Sequence, residues 1–129
     1  AFSVARSGTI YFTIARSDIY LSRCVNGRYS TPVAPGPAIN TSEAELCPFI
    51  APDESYLIFY RLTGPQSGYH IAYRLKDGAW SQPAPLTHLR TQPTSFVSPD
   101  GKYVFFGALG AGMWAPATFI EELRPKEGR

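Results

Sequence analysis

Histidine, cysteine and methionine are scarce in this chain: two, two and one in 129 residues. With so few histidines, and no His-x-x-x-His or Cys-x-x-Cys spacing, a transition-metal site has no support and no cofactor is implied. Cys24 and Cys47 are too few for a disulfide framework and read as two buried thiols acting as small apolar side chains. An excess of one charge is also missing. Twelve Lys and Arg against ten Asp and Glu leave a net charge of +2, too weak and scattered for the footprint of a nucleic-acid binder. The densest basic stretch, Arg61, Arg74, Lys76 and Arg90, is spread over different expected strands and loops and reads as solvated surface charge. No apolar run is long enough to span a bilayer. No signal peptide is visible and the first residue is Ala1, not Met, so cytoplasmic and periplasmic settings both stay open.

What is abundant points to strands. Apolar residues make up 44% of the chain and aromatics 14%, with eight Tyr and eight Phe. That is enough for a core, and the aromatic and β-branched content favours β structure. Twelve Pro and eleven Gly, spread along the chain, suit many short strands joined by turns.

Two motifs recur. Phe49 to Phe59 (FIAPDESYLIF) lies over Phe96 to Phe106 (FVSPDGKYVFF), with Asp53 and Asp100 47 residues apart. A worn copy, Ser3 to Phe12, has one residue fewer and has lost its Pro-Asp. Independently, Asn26 to Pro32 (NGRYSTP) lies over Asp77 to Pro83 (DGAWSQP), 51 residues apart, and the preceding strands also align, Ile19 to Arg23 over His70 to Arg74. Two motifs in the same order at nearly one period define a repeat unit.

Each unit reads as four strands. In the second, Pro48 to Ala51 leads into a Pro-Asp turn, where Pro52 presets φ and Asp53 bonds its own downstream backbone. Tyr56 to Arg61 is apolar at consecutive positions, as in a strand covered on both faces. After the loop Thr63 to Gly68 comes a third strand, Tyr69 to Leu75. Asp77-Gly78 then predicts a type I′ hairpin. A fourth strand starts at Trp80, with Pro83 and Pro85 marking an outer edge. A period near 45 residues with four strands per unit is a propeller signature. The expectation is an all-β, β-propeller-type array of about three four-stranded antiparallel blades (residues 1–38, 39–86 and 87–117) and a short C-terminal helix over 118–124, in one repeat-built domain. Unit three has a third strand over Gly112 to Ala115 and no fourth. Thr118 and Glu121 have capping-box spacing, and Pro125 ends the helix. Tyr29, Trp80 and Trp114 are expected to pack between blades.

The Ser98-Pro99-Asp100-Gly101-Lys102 turn with Tyr103 to Phe106 behind it resembles the Pro-Asp variant of the WD-type repeat of TolB-like β-propellers. So do Asp18 to Ser22 leading into Asn26 to Ser30, and Ile39-Asn40-Thr41 followed by Glu43, Glu45 and Pro48. The resemblance covers most of the chain, is specific for fold and nearly silent on function. It implies six or more blades and a natural tail after the last one. Three blades fall short of that, so the expectation is a six-blade ring built by two copies of the chain. The alternatives are the propeller part of a hydrolase or polysaccharide lyase, or a regulatory fragment of a longer chain.

Chemical candidates are few. Glu43 and Glu45 are the most interesting carboxylates: the resemblance puts them near the channel, where paired carboxylates serve acid–base chemistry or hold a cation. The competing reading, which is favoured, is that they bond to the neighbouring blade and fix its spacing. The matching segment, Thr87 to Gln92, carries Arg90 and no carboxylate. His70 sits in a strand where unit one has Ile19, and reads as a packed or rim histidine. Ser67 lacks the Gly-x-Ser-x-Gly elbow and reads as loop chemistry. Asp53 and Asp100 read as turn-formers. Asn40-Thr41-Ser42 satisfies the glycosylation pattern, which matters only in a eukaryotic secretory setting. The expected function is a non-enzymatic binding or assembly module taking a protein or carbohydrate ligand, and by analogy with propeller channel mouths Glu43, Glu45, Arg90, Ser67, Tyr69 and His70 are the candidate contacts.

Overall fold

The structure is a computed structural model that describes residues 1–15, 17–89, 95–108 and 111–127. These form three antiparallel sheets, a separate hairpin and one short helix. The first sheet contains β1 (Phe2–Val4), β2 (Ile10–Ile14) and β3 (Asp18–Ser22). The hairpin β4 (Cys24–Val25) and β5 (Arg28–Tyr29) follows. The second sheet is β6 (Glu45–Ile50), β7 (Tyr56–Arg61), β8 (Gly68–Tyr73) and β9 (Ala84–Pro85). The third is β10 (Ser95–Val97), β11 (Tyr103–Ala108) and β12 (Ala111–Pro116). The helix α1 spans Phe119–Glu122. In every sheet the strands pair in chain order, each antiparallel to the one before.

One turn pattern is found in all three sheets. Ala5, Ala51 and Ser98 donate their amides to the carbonyls of Thr9, Tyr56 and Tyr103 at 2.8–2.9 Å. Gly8, Glu54 and Gly101, at φ of 90°, 61° and 74°, donate back to the carbonyls of Ala5, Ala51 and Ser98. A side-chain oxygen closes each turn: Asp53 Oδ1 accepts from Ser55 N (3.0 Å) and Asp100 Oδ1 from Lys102 N (3.0 Å). In the worn copy Ser7 Oγ does the same for Thr9 N at 3.2 Å. Both aspartates are held below the usual carboxylate range, first by the hydrogen bonds from Ser55 and Ser98.

The second motif repeats too, with different turns. Ser30 donates its amide to Arg23 O and accepts from Arg23 N on Oγ; Ser81 does both with Tyr73. Asn26-Gly27 has φ of 51° and 75°, a type I′ turn. The type I′ expectation for Asp77-Gly78 is corrected: only Gly78 has positive φ (87°), and Leu75 N reaches Ala79 O across a loop one residue longer. That extra residue, together with a connection from Arg61 to Gly68 that is three residues longer than the one from Ile14 to Asp18, carries the spacing from 47 at the Pro-Asp turn to 51 at this motif.

Pleat alternation divides the core. Along β7, Leu57 and Phe59 face the first sheet, where they join Tyr11, Ile19, Leu21, Ile39 and Trp80. Tyr56 and Ile58 face the third sheet, where they join Tyr69, Ile71, Val104, Phe106 and, from α1, Phe119 and Ile120. The middle sheet is therefore covered on both faces, which accounts for the unbroken apolar run; each such side chain contributes about 1.5–3 kcal/mol on burial. Strand β6 packs against β1, β2 and β3 on one side and against β10 on the other.

Several expectations need correction. β6 starts at Glu45, not Pro48, and is bulged between Leu46 and Phe49, with Cys47 at φ 52°. Pro48 has no N–H for the ladder, and the Cys47 amide goes instead to Thr13 Oγ1 at 3.1 Å. The fourth strand shrinks to Ala84–Pro85 and one Arg74–Trp80 bridge, because Pro83 and Pro85 cannot donate. Thr118 has helical φ/ψ and makes no side-chain cap; Glu121 pairs with Arg124 instead, at 2.8 Å. Trp80 packs between sheets, edge-on to Tyr11, but Tyr29 and Trp114 are 56% and 62% exposed. Both cysteines are free and only partly buried, and burial pushes the Cys47 thiol up.

Candidate functional site

The ends of the sheets opposite the Pro-Asp turns carry the residues singled out in the sequence. Glu45 opens β6 and is paired across the ladder with Arg61, which is paired in turn with Gly68. The Glu45 amide bonds to Ser17 O in the β2–β3 loop at 2.8 Å, tying the first sheet to the second. Its side chain is fully buried and holds three donors: Arg61 Nε at 3.0 Å, Thr41 Oγ1 at 2.5 Å and Thr41 N at 3.2 Å. Arg61 also donates to Ile39 O at 3.5 Å and lies 5.7 Å from the Phe59 ring centre. The reading of Arg61 as a solvated charge is thus overturned: it is buried with the buried carboxylate it pairs with.

Glu43 does not join that pair. Its carboxylate accepts from Thr63 Oγ1 at 2.5 Å and folds over Gly64, where a Cβ would sit 2.6 Å from it. The two glutamates, expected side by side, serve different contacts, and both are engaged within the protein.

Tyr69 and His70 are neighbours in β8 and therefore point to opposite faces. Tyr69 faces the third sheet, edge-on to Tyr60 and Phe106. With Tyr60, Ser67, Gly68, Pro85, Leu86, Thr87 and Leu89 it lines a cavity of about 350 Å³. His70 faces the first sheet, stacked on Phe59 with ring centres 5.8 Å apart. Its Nδ1 lies 3.0 Å from Gly68 O, and its buried Nε2 has no partner among the described residues. Burial pushes its pKa down. Arg90 lies outside the described residues. The other five candidates therefore separate into two buried side chains with different partners (Glu45, His70), a surface contact (Glu43) and one cavity (Ser67, Tyr69).

Among the described residues no three His, Cys, Asp or Glu side chains converge to hold a metal, and no helix is long and apolar enough to cross a membrane. The chain matches no family, no curated protein and no solved structure with which it was compared.

A second polar cluster, missed in the sequence, lies at the Pro-Asp end. Arg74 stacks 4.2 Å over Trp80, donates to Tyr11 OH at 2.9 Å and sits 3.6 Å from Glu54 Oε1. Glu54 also accepts from Tyr11 OH (3.2 Å) and Ser7 Oγ (2.8 Å), and Arg6 N bonds to Pro52 O at 2.8 Å. The signal was present: Glu54 occupies the turn position that is glycine in the other two copies, and a non-glycine there, at positive φ, is held by bonds to its neighbours. Asn40 is likewise engaged. Its side-chain amide makes both main-chain bonds of Ile19 (2.9 and 3.0 Å), standing in for a strand, so a glycan on it would break that pairing.

Both end sheets carry exposed apolar side chains. On the first, Phe2, Phe12 and Tyr20 share one cross-strand row and Val4 and Ile10 the next. On the third, Phe96 stacks on Phe105, Tyr103 is edge-on to Trp114, and Phe96, Phe105 and Trp114 share a row. Phe2, Val4, Phe96, Phe105 and Trp114 are all exposed.

Proposed function

We propose that this chain is a β-propeller-type binding and assembly module without catalysis of its own, related in design to TolB-like Pro-Asp repeats, and that it completes a six-blade ring by pairing with a second copy. One observation carries the reading. The rows of side chains that bury the middle sheet on both faces recur on the end sheets, where they face outward. Exposed apolar patches of this kind mark surfaces that take a partner, and the partner that fits is another sheet of the same construction. Sheets of a propeller are complementary face to face by repetition, so no new chemistry is required at the joint. The carboxylates support a structural role: Glu54 holds the first sheet to the second, Glu45 anchors the Thr41 segment on Arg61, and Glu43 holds a loop. A ligand would be received in the cavity bounded by Tyr60, Ser67, Tyr69 and Thr87, whose aromatic walls and hydroxyls suit a carbohydrate or a peptide.

The test is the absolute molar mass in solution, by light scattering after size exclusion. The expected mass is about twice the 14.2 kDa of the chain. A chain that stays monomeric at high concentration would refute the assembly.

A further inference from the structure

We propose that the joint between copies is directional: the Phe96–Phe105–Trp114 row of one copy seats on the Phe2–Phe12–Tyr20 row of the other, and like faces do not pair. This rests on the assembly reading above and specifies its geometry.

The recurring turn fixes which positions are equivalent. Because Thr9, Tyr56 and Tyr103 each close the same hydrogen bond, Ile10, Leu57 and Val104 correspond, as do Tyr11, Ile58 and Phe105, and Phe12, Phe59 and Phe106. Both internal joints then obey one rule. Between the first and second sheets, Tyr11 comes from the earlier sheet and Leu57 and Phe59 from the later one. Between the second and third, Ile58 comes from the earlier sheet and Val104 and Phe106 from the later one. Every sheet has a leading face of the Tyr11 type and a trailing face of the Leu57 type. The unused leading face is on the third sheet, where Phe105 is 37% exposed and Trp114 62%. The unused trailing face is on the first, where Phe2 is 70% exposed and Val4 49%.

Like-on-like pairing breaks the internal pattern. In both joints the first strands lie near one another, β6 against β1 and against β10, and in the first joint the turns lie at the same end, as Arg6 N to Pro52 O shows. Two leading faces brought together by a twofold axis along the strands would put β10 against the partner's β12. An axis across the strands would keep β10 on β10 but reverse the strand direction. Only leading on trailing preserves both features. Each copy has one of each, so two copies close with two identical joints and no face left over.

Two variants test the direction. Trp114→Glu places a charge on the leading face, and Phe2→Glu with Val4→Glu places charges on the trailing face; all three positions are exposed within the chain, and circular dichroism confirms that each variant is folded. Should a glutamate variant lose its fold, the alanine versions are used. Each variant alone has a broken half in both joints and is expected to be monomeric. Mixed in equal amounts, they share one intact joint, the leading face of one with the trailing face of the other, and the expected mass returns to two chains and no more. A mixture that stays monomeric beside a dimeric unmodified protein would overturn the direction, as would a dimer lost in only one of the two variants. A monomeric unmodified protein would instead overturn the assembly reading itself.

Discussion

Replacing Arg61 by Met should be among the most damaging single changes in the first half of the chain. The methionine keeps an apolar stem beside Phe59, so little packing is lost. Glu45 loses its one charged partner among the described residues, the Nε bond at 3.0 Å, and keeps the two Thr41 donors. Its side chain has no exposed surface and the arginine side chain only 9%, so water cannot replace what is removed. Breaking a buried pair on one side costs about 3–5 kcal/mol, a large part of the roughly 5–15 kcal/mol that holds a domain together. With a urea slope of about 2 kcal/mol per molar, the unfolding midpoint should drop by about 2 M. The double change Glu45→Leu with Arg61→Met removes the stranded charge as well and should recover most of the loss. Urea titrations of the unmodified protein and the two variants measure both quantities. A midpoint that moves by less than about 0.3 M in Arg61→Met, on the same slope, would mean the pair is solvated and contributes little.

Other predictions follow from the same geometry. His70 is neutral by burial and its pKa lies below 6.5 in the fold; the unfolded chain binds the proton first, so stability should fall as pH drops below about 6.5 and the slope should vanish in His70→Phe, read as urea midpoints against pH. Tyr56 and Tyr73 are pushed up to about 12 from 10, chiefly by burial; the fold keeps these protons longer than the unfolded chain does, so stability should decline as pH rises between those values, with phenolate absorbance lagging behind that of the exposed tyrosines. Tyr73→Phe removes the hydroxyl that donates to Ile120 O at 2.8 Å and should cost about 0.5–1.5 kcal/mol, seen as faster amide exchange in α1. Gly64→Ala meets the Glu43 carboxylate at 2.6 Å, at a φ of +85°; it should release Glu43 from Thr63 and lower the melting temperature, whereas Gly64→Ala in a Glu43→Ala background should cost less.

The sheets and their turns were legible because they rest on local chemistry. Pro-Asp and Asn-Gly restrict the backbone wherever they occur, and the run Tyr56 to Arg61 has only one comfortable setting, a strand covered twice. The bulge at Cys47 was not, because it depends on where the amide before Pro48 finds an acceptor, and that acceptor is Thr13 on another sheet. The cap at Thr118 failed for a similar reason: Glu121 had Arg124 within reach. In the site, one separation was readable in advance, since Tyr69 and His70 are adjacent and must point apart in a strand. The Glu45–Arg61 pair was not: counted outward from the Pro-Asp turn, Glu45 falls opposite Leu62, and the bulge between Leu46 and Phe49 shifts it to Arg61. The cavity around Ser67 and Tyr69 was not, because half of its wall comes from Pro85 to Leu89, a segment with no strand pattern of its own beyond Pro85.

The most direct test of the central claim is hydroxyl-radical footprinting of the protein at high concentration and after dilution, read by mass spectrometry. Tyr29, exposed and on neither end face, is the internal control. The account predicts that Phe2 and Phe12 on the first sheet, and Phe105 and Trp114 on the third, are protected together at high concentration and become reactive together on dilution. End faces that stay as reactive as Tyr29 at every concentration would contradict it.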